Sequence, residues 1–175
     1  MACWMNLGQN FKVNAKKFPN TIALKDSKRS YTYPEANIRV NKLAHSLTSL
    51  GLVKGDKVAV LLENSIEMIE IYLATAKTGI VIVPINFRLV STDVEYIANN
   101  SDAKALVVHD QFVATVESIR KNLGNIPQDK YIVVGQSHDG YHDYEAFIKD
   151  SADSEPQAEV DVKDTWILIY TSGTT

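Results

Sequence analysis

The sequence predicts an α/β fold, a layered and mostly parallel sheet flanked by helices, and three observations favour it. Short β-branched runs alternate with segments of helical periodicity along most of the chain. Residues 80–84 are aliphatic up to a closing proline, which is typical of a parallel strand buried on both faces. No internal repeat or low-complexity tract interrupts the alternation. Together these features indicate successive strand–helix units.

A short strand pair and a capped helix are predicted near the start of the chain. The strands cover residues 21–25 and 30–33, with a polar turn between them. A helix follows over residues 34–50. Thr32 and Glu35 stand at the spacing of a capping box, in which each side chain accepts a hydrogen bond from the backbone of the other residue.

The next strand, over residues 57–62, leads to a helix that Ser65 caps and Gly79 ends. Apolar residues recur along this helix at helical spacing. One buried face is therefore expected, made of Ile66, Ile69, Leu73 and Ala76. The aliphatic strand over residues 80–84 follows directly.

The remaining elements continue the alternation up to a polar segment. They are a helix opened by Thr92 and Glu95 that runs to residue 99, a strand over 105–109, a helix over 111–123 and a strand over 131–134. The polar residues 136–163 are expected to form a solvated, acidic connector with one short helix over 144–149. A last strand over 166–170 leads into five terminal residues, Thr171, Ser172, Gly173, Thr174 and Thr175.

The length of 175 residues corresponds to one domain, or to one domain with part of another. We expect a single incomplete domain. Its parts are an N-terminal segment with the strand pair (1–33), a βα-repeating core (34–135), a polar connector (136–164) and a strand with the start of a loop (165–175). Because the chain ends directly after a predicted strand, further polypeptide is expected to follow.

Composition and charge are those of a soluble globular protein. Lys and Arg number 18 against 21 Asp and Glu, a net charge of -3, so nothing indicates a nucleic-acid-binding face. No apolar run approaches the ~20 residues of a transmembrane helix, and the N-terminus does not resemble a signal peptide. The one cysteine, Cys3, excludes an intramolecular disulfide, and a cytoplasmic location is expected.

The five terminal residues carry the strongest chemical signal. Glycine lets a backbone approach a ligand closely, and successive N–H groups of such a loop converge on an anion. The serine and threonines add hydroxyl donors. The composition suits a phosphate-binding loop, and equally a Ser/Thr turn that leads into a hairpin. It matches neither the Walker pattern nor the glycine spacing of a dinucleotide-binding loop.

Four ordered motifs resemble the adenylate-forming superfamily, which includes acyl-CoA synthetases, peptide-synthetase adenylation domains and luciferases. The run Ile169-Tyr170-Thr171-Ser172-Gly173-Thr174-Thr175 resembles the first half of its phosphate-loop signature, which usually continues as Gly-x-Pro-Lys-Gly. The other three are Tyr31-Thr32-Tyr33 before a helix with Asn41, Leu43 and Ala44, then Gly55-Asp56-Lys57-Val58-Ala59-Val60 before Asn64-Ser65, and Leu73-Ala74-Thr75-Ala76-Lys77-Thr78-Gly79 into Val83-Pro84-Ile85-Asn86. The resemblance covers nearly the whole chain from Phe18 onward.

The resemblance implies the large N-terminal domain of an adenylate-forming enzyme and a two-step reaction. A carboxylate attacks the α-phosphate of ATP to give an acyl-adenylate and pyrophosphate, and a thiol, usually that of coenzyme A, then displaces AMP. Thr171 to Thr175 would hold the ATP phosphates, with Mg²⁺ assisting. The expected partners are a small carboxylic acid, ATP and CoA. No catalytic or metal-ligating residue is assigned, because those of the family lie further along the chain.

Arg88 is a second candidate, for the phosphates of coenzyme A. The segment Asn86-Phe87-Arg88-Leu89 resembles one in which some CoA ligases place an arginine near those phosphates. The forked donors of a guanidinium suit phosphate, and a solvated surface arginine is the alternative. His138 and His142 are four apart, but Gly140 lies between them, so two solvated histidines are expected rather than a metal pair.

Three hypotheses for the parent protein remain open. It is an acyl-CoA synthetase acting on a fatty or other acid, an adenylation domain that loads a carrier protein, or a non-catalytic α/β binding module. The residues after Pro84 look closer to the CoA-ligase branch and favour the first. The 175 residues alone are expected to be inactive, and to self-associate through surfaces that the rest of the protein would cover.

Overall fold

The computed structural model describes residues 5–171, in which helices and strands alternate as the sequence pattern predicts. In chain order the elements are α1 (Leu7–Lys17), β1 (Ile22–Lys25), β2 (Ser30–Thr32), α2 (Tyr33–Ser49), β3 (Lys57–Leu61), α3 (Ile66–Thr78), β4 (Val81–Pro84), α4 (Ser91–Asn100), β5 (Ala103–His109), α5 (Val113–Ile119), β6 (Tyr131–Val134), β7 (His142–Asp143) and α6 (Tyr144–Lys149). Short 3-10 turns flank α5 on both sides, so the helix predicted over 111–123 is divided into three pieces.

Strands β3 to β7 form one parallel sheet in the order β4-β3-β5-β6-β7. The chain leaves β3, returns as β4 on one side of it, and then crosses to form β5 on the other side. Parallel neighbours require such crossovers, and helices provide most of them here. The predicted sheet flanked by helices is therefore confirmed. The first two strands form a separate antiparallel pair, also as predicted.

Each face of the sheet has its own apolar cluster. Helices α2 and α3 complete the first cluster, and α4 and α5 complete the second. Strand β3 contributes to both, because successive side chains of a strand point to opposite faces. Val58 and Val60 belong to the first cluster, whereas Ala59 and Leu61 belong to the second. The sheet is thus buried on both sides, as its aliphatic strands predict.

The predicted caps of α2 and α3 are confirmed. The N–H of Thr32 donates to the Glu35 carboxylate at 2.8 Å, and the Thr32 hydroxyl accepts from the N–H of Glu35. At α3, the Ser65 hydroxyl accepts from the N–H of Met68 at 3.1 Å. Gly79 ends the helix at φ 74°, a left-handed conformation that glycine adopts at little cost.

The predicted buried face of α3 is wrong at one position. Ile66, Leu73 and Ala76 are buried, but Ile69 is 41% exposed. Helix α3 packs against α1, α2 and the sheet at once. Its buried sector is therefore set by several neighbours, and a single stripe read from the sequence does not describe it.

Helix α4 begins without the predicted side-chain cap. Its N-cap residue is Val90, whose side chain has no oxygen to accept a hydrogen bond. The spacing of Thr92 and Glu95 therefore does not mark the start of the helix. The predicted interval is otherwise correct to within one residue at each end.

The strand predicted over 166–170 is wrong as a strand, although the segment does run beside β4. Ile167 makes a single parallel bridge with Ile82. The N–H of Ile82 donates to Trp166 O, and the N–H of Leu168 donates to Ile82 O. Continuing the ladder would need an N–H at Pro84, and proline has none. The pairing therefore stops after one bridge.

Within the connector predicted over residues 136–164, α6 matches the predicted helix and the residues after it are irregular, but β7 joins the sheet beside β6. From here on, the connector means residues 150–165. It is not simply solvated, however. The Glu155 carboxylate lies 2.8 Å from Nζ of Lys77, a residue buried in the last turn of α3. A lysine inside the helical layer requires a counter-charge, and the acidic connector supplies it. Two elements were missed by the sequence analysis, namely α1 and the two-residue strand β7.

Candidate functional site

The two segments with predicted binding residues meet at the carboxyl edge of the sheet. Residues 166–170 run parallel to β4, so both segments end at the same edge. Thr171 follows one of them, and the turn Asn86–Leu89 follows the other. They share a pocket of about 400 Å³ lined by Asn86, Leu89, Asp93, Tyr96, Ile97, Tyr170 and Thr171. Ligands of open parallel sheets bind outside the carboxyl ends of the strands, which makes this pocket the candidate site.

Side chains on both sides of the sheet hold the segment that leads to Thr171. The indole N–H of Trp166 donates to Tyr72 O at 2.9 Å, and the two rings meet edge to face. On the opposite side Leu168 packs against the second apolar cluster. The position of the segment beside β4 therefore rests on its side chains more than on a hydrogen-bonded ladder.

Tyr170 is the last anchored residue before the terminal loop. Its hydroxyl donates to Oδ1 of Asn100 at 2.7 Å, and its ring meets that of Tyr96 edge to face at 6.4 Å. Burial raises the pKa of the Tyr170 hydroxyl, so it stays a neutral donor. These contacts fix the direction in which the chain leaves the sheet toward Thr171.

Tyr96 and Asn100 were not identified as site residues by the sequence analysis. They lie four residues apart on α4 and therefore on one side of that helix. In the sequence, the signal that could have indicated them is an aromatic and an amide residue four positions apart on a predicted helix. Of the predicted loop residues, the structure describes Thr171, which is exposed, while Ser172, Gly173, Thr174 and Thr175 lie outside the described residues.

Arg88 lies in the same turn, with its side chain exposed. The Asn86 side chain accepts from the N–H of Arg88 at 3.0 Å and shapes the turn. The guanidinium lies 5.5 Å from the ring centroid of Phe87, which stacks on Phe112. Arg88 is therefore exposed at the carboxyl edge of the sheet and is not part of the pocket lining around Thr171.

His138 and His142 have different partners. His142 belongs to β7 and its Nε2 lies 2.8 Å from Asp129 O, whereas the His138 ring meets Tyr141 edge to face. Within residues 5–171 there is no group of three or more His, Cys, Asp or Glu side chains arranged to hold a metal ion. These residues by themselves therefore do not fit a Mg²⁺ site made of protein ligands alone. In the same range, no helix has the length and apolar character needed to span a membrane.

Comparisons with known proteins show the family to which the chain belongs. The family described as AMP-binding enzyme matches residues 11–175, and the chain belongs to that family. Among curated relatives, the fatty acid–[acyl-carrier-protein] ligase ScoC of Streptomyces coeruleorubidus is 32% identical, covering 97% of this chain and 31% of its own length. A medium/long-chain-fatty-acid–CoA/3-oxocholest-4-en-26-oate–CoA ligase of Mycobacterium marinum is 33% identical, covering 100% of this chain and 33% of its own. The chain thus spans about a third of the length of these relatives.

Solved structures show the same fold. The anthranilate CoA ligase AuaEII in complex with anthranoyl-AMP has a TM-score of 0.93 at 28% identity, over 100% of this chain and 34% of that one. The inhibitor-bound N-terminal domain of FACL13 from Mycobacterium tuberculosis has a TM-score of 0.88 at 30% identity, over 98% of this chain and 42% of that one. The expected fold, part of the N-terminal domain of an adenylate-forming enzyme, is therefore confirmed.

Proposed function

We propose that the parent protein is an ATP-dependent ligase that converts a fatty or other carboxylic acid into an acyl-adenylate and then into an acyl-CoA thioester. A carboxylate is a poor acyl electrophile, and adenylation turns one of its oxygens into part of a good leaving group. The family assignment and the acid–thiol ligases among its relatives support this reaction class. The observation that carries the proposal is the delivery of Thr171 to the carboxyl edge of the parallel sheet.

The loop from Thr171 to Thr175 is proposed to bind the β- and γ-phosphates of ATP. Backbone N–H groups and hydroxyls stabilise phosphate charge without a change of protonation. Mg²⁺ is bound in such sites largely by phosphate oxygens and water, with one or two carboxylates. The anchoring of Tyr170 and Trp166 holds the start of the loop in place, which is the protein's main contribution to nucleotidyl transfer.

The test is acid-dependent ATP–pyrophosphate exchange by the full-length parent protein. Replacing Gly173→Ala or Thr174→Ala is expected to raise the KM for ATP by about tenfold or more. The first adds a methyl group where the backbone must approach the ligand closely, and the second removes a hydroxyl contact worth about 1–3 kcal/mol. The exposed Thr165→Ala, at the end of the connector, is the matched control and should leave exchange unchanged. Absence of ATP-dependent exchange in the wild-type parent, across a panel of carboxylic acids, contradicts the proposal.

The 175-residue chain alone should give no exchange above blank, because the family's Gly-x-Pro-Lys-Gly continuation is not within it. It is also proposed to self-associate through apolar side chains exposed near the candidate site, Val90, Tyr96 and Ile169. Sedimentation velocity at several concentrations measures this. A monomer at all concentrations argues against self-association.

Arg88 is proposed to contact a phosphate of coenzyme A in the second step. Arg88→Ala in the parent should raise the KM for CoA by about tenfold and leave ATP–pyrophosphate exchange unchanged. The exposed Lys121→Ala is the control for lost surface charge. An unchanged KM for CoA identifies Arg88 as a solvated surface residue.

A carrier protein is the alternative thiol acceptor, and the similarity to ScoC favours testing it. Supplying CoA or a phosphopantetheinylated carrier protein to the preformed acyl-adenylate separates the two acceptors. Arg88→Ala in the parent should slow transfer of the acyl group to free CoA, and should not slow its transfer to a carrier protein. A cytoplasmic location is part of the proposal, since a single cysteine fits a reducing compartment.

A further inference from the structure

The connector crosses the helical layer on its way to the candidate site. It contains no helix or strand, and most of its side chains are exposed. Polar contacts hold it at several points, including Asn6 Nδ2 to Val160 O at 3.0 Å and Lys54 Nζ to Glu159 O at 2.9 Å. Lys54 is half exposed, so its contacts contribute little to stability.

One connector contact differs from the others because it reaches a buried charge. Nζ of Lys77 donates to Glu155 Oε2 at 2.8 Å, and to the side-chain oxygens of Asn37 and Asn41 at 2.7 Å each. Asn37 Nδ2 donates to the second oxygen of Glu155, also at 2.7 Å. The Asn41 amide donates to Asp153 O at 2.8 Å. This cluster joins α2, α3 and the connector in one hydrogen-bonded network.

Removing one member of this network is expected to lower the free energy of unfolding. Lys77 is 7% exposed, and burial lowers its pKa, which the Glu155 carboxylate opposes. Burial raises the pKa of Glu155, but the donors Asn37 and Lys77 outweigh this and the net direction is downward. Removing one partner of a buried ion pair leaves an uncompensated charge, which costs more than the pair itself contributes. Moving the connector away from α3 has the same consequence.

Glu155 lies close in sequence to residues 166–170, the segment that leads into the candidate site. After Glu155 the chain passes Val160, which packs beside Gly79 at the end of α3, and then reaches Trp166. There it makes only the two backbone hydrogen bonds with Ile82 before it continues to Thr171. With so short a ladder, the register of this segment on β4 depends on its side-chain anchors, Trp166 and Tyr170, and on where the connector delivers it.

We propose that Lys77 and Glu155 are positioning residues for the nucleotide site: their contact, at which Lys77 is buried, fixes the path of the connector and thereby contributes to the register of residues 166–170 on β4 and to the position of Thr171. The consequence for ATP rests on the proposed function. The effect on register does not, and is measured separately.

The experiment compares Glu155→Gln with the wild-type full-length parent. Amide hydrogen exchange at Leu168 and Ile82, which make the two ladder bonds, should accelerate about tenfold. The amide of Leu106, which donates to Lys130 O in the sheet interior, should be unchanged. The KM for ATP should rise by about tenfold while the active-site-titrated kcat changes less than about twofold. Glu159→Gln removes an equal charge from an exposed connector residue and should change none of these.

A second variant keeps the result interpretable if Glu155→Gln proves unstable. The double variant Lys77→Met with Glu155→Gln removes the buried charge as well as its partner, and should recover most of the stability. Exchange at Leu168 should stay accelerated in it, because the contact is still absent. Unchanged exchange at Leu168 in Glu155→Gln overturns the proposal. Equal acceleration at Leu106 also overturns it, since that identifies general destabilisation. If amide exchange accelerates at Leu168 alone, in a parent protein that does not use ATP, the positioning role of Lys77 and Glu155 is supported and the proposed function is rejected.

Discussion

The central sheet and the connector are stabilised in different ways. Strand β3 is apolar and buried on both faces, and every strand of the sheet has a hydrogen-bonded neighbour. The connector exposes most of its side chains and is held by separate polar contacts from Asn6, Lys54 and Lys77. Burial of apolar surface is cooperative and non-directional, whereas each polar contact depends on its own geometry. The sheet therefore supplies most of the stability, and a few contacts decide where the chain enters the candidate site.

Helix α6 is stabilised both by apolar burial, like the sheet, and by specific polar contacts, like the connector. Its first residue, Tyr144, is fully buried and donates its hydroxyl to Glu70 at 2.8 Å. Burial raises the pKa of Tyr144 well above its ordinary value, so the hydroxyl remains a donor. Arg39 pairs with the same carboxylate. Here a polar network is enclosed by apolar packing, and both kinds of interaction act on one element.

The largest change in the free energy of unfolding is expected in the sheet, and a matched change in the connector should have little effect. Leu106→Ala removes a fully buried side chain from β5 and should lower the free energy of unfolding by about 3 kcal/mol. Val162→Ala in the connector, where the side chain is 51% exposed, should change it by less than about 0.5 kcal/mol. Urea unfolding of both variants gives the two values. Similar losses would show that the connector carries core stability, which contradicts the comparison.

Asp56, the residue before β3, makes polar contacts whose contribution to stability can be measured. Its carboxylate accepts from the N–H of Val53 at 3.0 Å and pairs with Lys104 at 2.6 Å. Burial raises the pKa of Asp56, but the hydrogen bonds from Lys104 and Val53 outweigh this and hold it below its ordinary value of 3.8. Asp56→Asn should cost about 1.5 kcal/mol at pH 7, as expected for a hydrogen-bonded charge.

The sign of the pH dependence follows from the lowered pKa. The unfolded chain takes up the Asp56 proton at a higher pH than the folded chain does. The stabilisation is therefore complete above 3.8 and is lost as the pH falls through the lower, folded value. The stabilities of wild type and Asp56→Asn should converge below pH 3.8. A difference that stays constant down to pH 2 would assign the loss to packing rather than to charge.

The smallest effect is expected at the exposed contacts of the connector. Lys54 pairs with Asp164 at 2.6 Å, and the lysine side chain is half exposed. Lys54→Met should cost no more than about 0.5 kcal/mol, since exposed pairs are screened by solvent. The remaining difference should disappear in high salt. A loss above that of Asp56→Asn would mean that the exposed contacts, rather than Lys77 and Glu155, hold the connector.

The candidate site was predicted only in part. The terminal loop and Arg88 were predicted from residue type and from the family resemblance, and their roles stay predictions. The structure brings Thr171 and the turn with Arg88 to the same edge of the sheet. The contribution of α4 was not foreseen, because Tyr96 and Asn100 reach the site through a helix that is distant in sequence from residue 170. No local pattern contains that contact.

Most of the elements and their order could be predicted from the sequence, apart from α1, β7 and the segment 166–170. Helix ends at Thr32, Ser65 and Gly79 and the buried strands follow from interactions within a few residues, which caps and periodicity record. Only the tertiary structure decided the strand order, the exposure of Ile69, the single bridge at Ile82 and the pairing of Lys77 with Glu155. These depend on which surfaces meet after the chain has folded, and residues 78 positions apart in sequence leave no periodic signal of their contact.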